Sequence, residues 1–360
     1  MGRVGTWASA AGSHGENVNE SSEVAVAVVG AGGWGKNHVR NFATLEGASL
    51  RYVCDPRAEI RAEVERTHPR TRALPDAAEM LADEGVRGVI VATPAPTHHA
   101  VAMAALRAGK DVLVEKPLAL SSAEARELCL EAERLGRILM VGHLLLYHPA
   151  VQMLRDMVKS GELGEVLYVY CQRLNLGVVR SDENVWWSLA PHDLSLANYL
   201  LDAEPLAVSA SGGTFLQTGR GIEDVVFATV HYPNGRIAHV HASWLDPNKT
   251  RQLTVVGSKK MAIFDDTSPD EKLKIFDKGA EPPPSLTYEQ GVRIRTGDVR
   301  VPALRMHEPL RRECGAFVEA IRTRVPPVAD GRSGLAVVRA LEAGARSLAM
   351  GGARVEVEST

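Results

Sequence analysis

Cysteine is scarce in this chain. Cys54, Cys129, Cys171 and Cys314 are the only four among 360 residues. Spread this thinly, they cannot form the disulfide framework of a small secreted domain, and no C-x-x-C pair supplies half a zinc site. A reducing, cytoplasmic setting and no bound metal are expected. Long apolar runs are missing too: no stretch approaches the ~18 residues of a membrane-spanning helix, which excludes an integral membrane protein of that kind. Neither sign of charge dominates, since 41 Lys and Arg against 44 Asp and Glu leave −3. Without a basic field to neutralise phosphates, nucleic acid is not expected as a partner. Aromatic residues make up only 5%, whereas glycine numbers 32 and Ala and Val abound. That is the composition of a closely packed sheet-and-helix nucleotide binder. At roughly 150 residues per domain the length suggests two domains.

Residues 1–22 are rich in Gly, Ser and Asn, show no periodicity, and lack the basic-then-apolar pattern of a signal peptide. A disordered tail is expected there. From Glu23 the pattern sharpens. Val24-Ala25-Val26-Ala27-Val28-Val29 is a continuous apolar run, as for a strand buried on both faces. It leads directly into Gly30-Ala31-Gly32-Gly33-Trp34-Gly35, a G-x-G-x-x-G, and then into a helix-like stretch. A second strand-like run ends at Asp55, twenty positions beyond Gly35. The first glycine suits a tight turn, the second lets backbone approach a pyrophosphate, and the third lets helix pack on strand. Unpaired N–H groups at the helix start suit the anion. Asp55 suits the ribose hydroxyls and repels a 2′-phosphate, so NAD is favoured over NADP, with Arg57 two residues on to soften the preference.

The alternation continues through helix-like segments at 57–68, 76–83, 97–108 and 122–135 and strand-like ones at 86–92, 111–114 and 138–141. This pattern predicts a doubly wound parallel sheet over residues 23–143. Two strand ends stand out, because ligands of such sheets bind beyond the carboxyl ends of the strands. One is Ala92-Thr93-Pro94-Ala95-Pro96-Thr97-His98; the other is Glu115-Lys116-Pro117. A partly buried lysine there has a lowered pKa and can exchange a proton or polarise an oxygen.

V-V-G-A-G-G-W-G-K-N-H, A-T-P-A-P-T-H-H and V-E-K-P-L-A-L together resemble the glucose–fructose oxidoreductase, inositol dehydrogenase and rhizopine catabolism (Gfo/Idh/MocA) family. The resemblance runs from about Glu23 to the C-terminus. It implies a Rossmann domain followed, over 144–360, by an α+β substrate and oligomerisation domain with a large open sheet. It also implies that Lys116 binds the substrate hydroxyl and that Thr93, Pro94 and His98 line the cofactor cleft. The expected cofactor set is therefore Gly30, Gly32, Gly33, Trp34, Gly35, Asp55, Arg57, Thr93, Pro94, His98, Glu115 and Lys116. A homodimer or homotetramer is expected from the family's exposed sheet.

Strand-like runs at 165–174, 207–212, 224–231, 236–244, 252–256 and 260–264, separated by turn signals, predict a largely antiparallel second sheet. The family's second catalytic element is a histidine on a helix, which falls here on His192, with a helix start expected at Pro191. Near neutral pH such a histidine can take a proton from an alcohol. Many relatives carry an Asp four residues earlier, where this chain has Ser188; Asp193 cannot simply replace it, because adjacent helical residues point about 100° apart. Many also carry an arginine near Leu145 or Leu146, so His143 is the expected polar contact there. Arg173, Asn175 and Arg180 complete the expected substrate set, the arginines as forks for phosphate or carboxylate. His231, His239 and His241 lack an accompanying carboxylate cluster, so no metal is expected at them. Helices are expected after Pro309 to about Arg322 and over 333–350, with Glu308 near enough to reach the substrate.

R-L-N-L-G, E-N-V-W-W-S and A-P-H-D-L-S resemble a bacterial subgroup associated with nucleotide-sugar and glycoside biosynthesis. That favours NAD-dependent oxidation at C3 of a nucleotide-linked hexose, such as a UDP-N-acetylhexosamine or its uronic acid. A cyclitol or free-sugar dehydrogenase, a 3-ketosugar reductase, an NAD-assisted glycosidase and a catalytically silent NAD- and sugar-binding regulator stay open as alternatives.

Overall fold

The structure is a computed structural model that describes residues 23–281 and 292–358. The expected tail at 1–22 and the Pro282-Pro283-Pro284 loop lie outside the described residues.

The first half alternates strand and helix. The order is β1 (Val24–Val29), α1 (Gly35–Phe42), β2 (Ala48–Cys54), α2 (Ala58–Thr67), β3 (Arg72–Leu74), α3 (Ala78–Ala82), β4 (Gly88–Val91), α4 (His98–Arg107), β5 (Asp111–Val114), α5 (Ser122–Arg134) and β6 (Leu139–Val141). Every residue of β1 is buried, because helices cover both faces of the sheet. The strands run parallel in the order β3-β2-β1-β4-β5-β6. The winding direction reverses between β1 and β4, and this opens a crevice beyond their carboxyl ends.

The second half contains α6 (Pro149–Lys159), β7 (Val166–Leu174), α7 (Val185–Leu201), β8 (Ala207–Gly213), β9 (Val225–His231), β10 (Ile237–Ser243), β11 (Thr250–Gly257), β12 (Met261–Asp265) and β13 (Leu273–Phe276). A small ribbon, β14 (Gly279–Glu281) with β15 (Arg293–Arg295), and then β16 (Val299–Arg300) follow. The chain closes with α8 (Pro309–Thr323), α9 (Gly331–Ala349) and β17 (Val355–Glu356). Nine strands form one sheet, ordered β16-β13-β12-β11-β7-β10-β9-β8-β17. Its pairs are antiparallel except for β7 and β10 at the centre.

Burial alternates along β9 and β10. The inward set packs with Leu154, Trp186, Leu194, Leu200 and Leu341 from α6, α7 and α9. Gly344 lets α9 lie against α7: a Cβ there would stand 2.6 Å from the Trp186 ring. Trp186 is fully buried and its Nε1 donates to the Leu341 carbonyl at 2.9 Å. On the outward face Phe227, Ile237 and Tyr168 of β7 are exposed, and Thr229, His239 and His241 are half-buried.

Helices α8 and α9 return to the first sheet, although the sequence assigns them to the second unit. Phe317 and Ile321 of α8 join Val26 and Ile90 in one core. The Val141 amide donates to the Ala329 carbonyl at 2.8 Å ahead of α9. Glu308 does not reach toward a substrate; it pairs with Arg40 and accepts from Asn41 Nδ2 at 3.2 Å, clamping α8 onto α1. The short strands β3, β13, β16 and β17 are absent from the sequence expectation, because two to four residues carry little periodicity.

Candidate active site at the sheet crevice

The glycine loop has the shape its spacing predicts. Gly30 has φ +87°, and a Cβ on it would lie 2.7 Å from the Ala92 carbonyl oxygen. A Cβ on Gly35 would stand 1.9 Å from the Gly30 oxygen, so any side chain would push α1 off the loop. At Gly33 a Cβ would meet nothing within 4 Å, so the loop is open toward the crevice. No side chain caps the start of α1; the Lys36 and Asn37 amides donate to the Gly32 and Trp34 carbonyls at 3.2 and 2.8 Å, and the positive end of the helix dipole still favours an anion there. These features fit a dinucleotide pyrophosphate.

Asp55 is buried at the end of β2. Its Oδ2 accepts from the Ala31 amide at 3.0 Å, and Arg57 donates through Nε at 2.9 Å and Nη2 at 2.8 Å. The Arg57 guanidinium holds the carboxyl down to about 2, with the Ala31 amide adding to it against burial. The acid meant for the ribose is thus ionised and oriented, and Arg57 lies beside Gly32.

The two strand-end loops are tied to each other. His98 places Nδ1 2.7 Å from the Pro117 carbonyl and Nε2 2.9 Å from the Thr93 carbonyl. This corrects its expected place in the cleft lining: both nitrogens are engaged and the residue is buried. Thr93 accepts from the Thr97 hydroxyl at 2.7 Å, and Pro94 is exposed. Glu115 is also inward. Its Oε1 takes the Trp34 indole N–H at 2.5 Å and lies 2.6 Å from His38 Nε2, while Oε2 accepts from the Lys116 amide at 3.2 Å. Burial pushes this carboxyl up, but His38 and Lys116 outweigh it and the net shift is downward. Glu115 therefore joins the glycine loop to the lysine turn.

Lys116 precedes Pro117 across a cis peptide bond in that turn, and its Nζ donates to the Ser188 carbonyl at 3.0 Å. Burial lowers its pKa; Glu115 and Glu183 pull it up and Arg180 and Arg173 pull it down.

Ser188 lies on α7, whose start corrects the sequence expectation. The helix begins at Val185, where the Asn184 side chain accepts from the Trp187 amide at 3.1 Å. Pro191 is inside the helix, so His192 lies two turns in rather than in the first turn. Proline has no N–H for the Trp187 carbonyl and crowds it, which loosens the ladder beside the carbonyl that Lys116 takes. Ser188 and His192, four residues apart, share one face of α7. His192 Nδ1 is enclosed without a partner, which leaves Nε2 as the nitrogen open to the cleft. Burial, then Lys116, Arg173 and His143, drive His192 well below the ordinary range, so it is a neutral imidazole able to accept a proton.

The expected anion forks are arranged differently. Arg173 is buried and grips Asp193 through Nε at 3.1 Å and Nη2 at 2.9 Å. Burial opposes its charge, and Asp193 more than restores it. Burial pushes the Asp193 carboxyl up, and Arg173 pulls it back. Arg173 is thus not a free fork, and Asp193 faces it rather than the His192 relay. Arg180 is exposed and pairs with Glu183 at 3.1 Å; Asn175 is half-buried near it on the loop after β7. His143 is 1% exposed, and burial lowers it to about 4. His239 and His241 stack on Tyr170 and Phe227.

Comparison with known proteins agrees with this geometry. The family model described as "Oxidoreductase family, NAD-binding Rossmann fold" matches residues 24–143, and "GFO/IDH/MocA C-terminal domain" matches 151–263. UDP-N-acetylglucosamine 3-dehydrogenase of Acidithiobacillus ferrooxidans is 32% identical over 314 residues, 87% of this chain and 93% of that protein. The chain belongs to the Gfo/Idh/MocA oxidoreductase family. A solved structure of the Acidithiobacillus enzyme superposes with a TM-score of 0.77 at 31% identity, covering 91% of this chain and 98% of that one. The scyllo-inositol 2-dehydrogenase (NAD(+)) of Bacillus subtilis is 29% identical over 235 residues, 62% of this chain and 68% of that protein. Levoglucosan dehydrogenase in complex with NADH shares the fold, with a TM-score of 0.79 at 21% identity over 94% of this chain and 100% of that one. This family member is an NAD-binding oxidoreductase acting on CH–OH. Among the described residues no helix is long and apolar enough to cross a membrane.

The sequence reading missed a buried cluster below the lysine turn. Ligand atoms of His38, Glu115 and Glu313 lie within 4.8 Å of one another. Glu313 on α8 is fully buried with neither oxygen bonded, and burial followed by Glu115 raises it well above the carboxylate range. The signal was present: His38 follows Trp34 by one turn, and Glu313 interrupts the apolar stripe Leu310, Cys314, Phe317, Ile321.

Proposed function

We propose that this protein oxidises a secondary hydroxyl of a sugar, with C3 of a nucleotide-linked hexose as the preferred position. The observation that carries the reading is the 3.0 Å bond from Lys116 to the Ser188 carbonyl, one helical turn from His192. It joins the turn over the crevice to the helix bearing the imidazole. Gly30, Gly32, Gly33 and Gly35 would hold the pyrophosphate of NAD and Asp55 its ribose; Trp34, Arg57, Thr93 and Pro94 edge the same crevice. When bound, the nicotinamide accepts the hydride. Lys116 holds the substrate oxygen and stabilises the negative charge that develops on it. His192 Nε2 takes the hydroxyl proton; burial and the nearby cations keep the imidazole neutral beforehand. The same groups serve the reverse ketosugar reduction.

The nucleotide-sugar assignment rests on similarity to the UDP-N-acetylglucosamine 3-dehydrogenase over 87% of the chain. NADH formation with a panel of UDP-N-acetylhexosamines and their uronic acids tests it. Turnover of free inositols or sugars with no nucleotide sugar accepted would overturn it. A second reading, a cyclitol dehydrogenase, is favoured by one feature: Arg173 is spent on Asp193, which leaves Asn175 and the exposed Arg180 as the remaining polar groups on that side.

The open sheet face bearing Tyr168, Phe227 and Ile237 supports burial in a homodimer or homotetramer. Light scattering of Phe227→Arg against the unaltered chain tests this, with dissociation expected. The four unpaired, buried cysteines suit a reducing, cytoplasmic compartment.

A further inference from the structure

Arg173 has a cationic neighbour that the sequence reading passed over. In the antiparallel pair of β7 and β11, Arg251 stands directly opposite Arg173. By the same register both arginines share the face of Val169, Cys171, Leu253 and Val255, which lie in the core beneath the helices. Cβ atoms paired in this way are about 4.5–5.5 Å apart, and like charges so placed destabilise a sheet. Asp193 offsets only one of the two charges, because Arg173 grips it through Nε and Nη2.

Arg251 is committed far less firmly. Its side chain is 45% exposed, against 10% for Arg173. Among the described residues its guanidinium makes no hydrogen bond, and its one ion pair is with Asp266 at 3.6 Å, beyond hydrogen-bond reach. An arginine is always charged and carries five donors in a fixed fork, so this one holds a strong anion-binding group in reserve. It is also close to the chemistry. Arg173 holds Asp193, the residue after His192 on α7, and Arg251 lies one strand across from that pair. Its charge acts on both His192 and Asp193. The other arginine near the site, Arg180, is already paired with Glu183 at 3.1 Å.

We propose that Arg251 receives the anionic group of the substrate, a phosphate or carboxylate oxyanion carried next to the sugar ring. This role rests on the nucleotide-sugar reading. Two parallel N–H groups of the fork meet two oxygens of one group, which fixes orientation as well as affinity. Seated there, the anion offsets the second arginine of the facing pair, as Asp193 offsets the first. The sugar is then held in one orientation, with its hydroxyl toward Lys116 and His192. A neutral cyclitol gives Arg251 nothing to hold.

The test is Arg251→Met, which removes charge and fork at similar length. NADH formation is followed with UDP-N-acetylglucosamine, its uronic acid and scyllo-inositol. KM for the charged substrates should rise about 10–10²-fold, with kcat and NAD affinity kept within about twofold. An equal rise for both nucleotide sugars places a phosphate at Arg251; a rise confined to the uronic acid places its carboxylate there. Arg251→Lys should keep part of the affinity, and added salt should raise KM more in the unaltered enzyme than in Arg251→Met. Asp266→Asn checks for a merely structural role: it removes a competitor for the fork, so KM should stay or fall. A KM for Arg251→Met within about twofold of the unaltered value on both nucleotide sugars overturns the proposal. So does a rise that Asp266→Asn reproduces, or an equal rise with scyllo-inositol. Oxidation of neutral cyclitols or free sugars alone by the unaltered enzyme overturns the nucleotide-sugar reading, and this role with it.

Discussion

Around the glycine loop, polar side chains are matched within the chain: Asp55 with Arg57 and Ala31, Glu115 with Trp34 and His38, His98 with two carbonyls. Around α7 they are not; His192 Nδ1, both nitrogens of His143 and Asn198 Nδ2 have no protein partner. Buried polar groups are normally satisfied, so the exceptions need a reason. At the cofactor end the groups shape a cradle for a ligand bound largely by backbone, and internal pairing holds that shape. At the catalytic end protons must move, and a group already committed to a partner cannot pass one on. Glu313 and the Asn41 Oδ1 on α1 are exceptions at the cofactor end, Glu313 as an orphaned acid.

The comparison can be broken by substitution. Lys116→Met and His192→Ala should each lower turnover by about 10²–10⁴-fold while NAD affinity is kept. If NAD binding falls in step with kcat, the two ends are not separable. Asp193→Ala leaves Arg173 buried and unpaired and should destabilise the fold by about 3–5 kcal/mol, read from urea unfolding. A loss below about 1 kcal/mol would mean that Arg173 turns toward the cleft and serves as the anion fork after all.

Asp55→Ala removes the paired acid at the cofactor end. NAD binding should weaken by about 1.5–3 kcal/mol, and the freed Arg57 should narrow the preference over NADP. Titration of both cofactors by fluorescence checks it; an unchanged NAD-to-NADP ratio would place the selection elsewhere.

The smallest effect is expected at Glu313. Its raised pKa means that the folded chain holds this proton more tightly than the unfolded chain. The associated stability is complete below the ordinary Glu pKa of about 4.3 and is lost as pH rises toward the folded value. Glu313→Gln stays neutral, so its melting temperature should gain on the unaltered protein between pH 5 and 8. The expected gain is about 1 kcal/mol. A gap that shrinks over that range would show that Glu313 is ionised and partnered.

Much of this was legible locally. The glycine spacing, the acid at the end of β2 and the lysine turn after β5 obey rules that act within a few residues, and the structure places each at the crevice. The helix bearing His192 was legible as an apolar stripe, but its start was misread, because proline marks a first turn more often than an interior. The capping power of Asn184 is what decided it. The expected role of Arg173 failed for a different reason: its partner Asp193 is twenty positions away, and only the packing of α7 on β7 brings them together.

By itself the sequence determined the doubly wound half, the dinucleotide loop and the lysine turn, since turn geometry and strand burial are written in short-range spacing. Only the tertiary structure decided which charged and titratable groups meet. Asp193 claims Arg173, Glu313 arrives under Glu115 on a returning helix, and His143 is sealed beside the lysine turn. Burial and electrostatics depend on neighbours that the fold brings from far along the chain, and no local pattern encodes them.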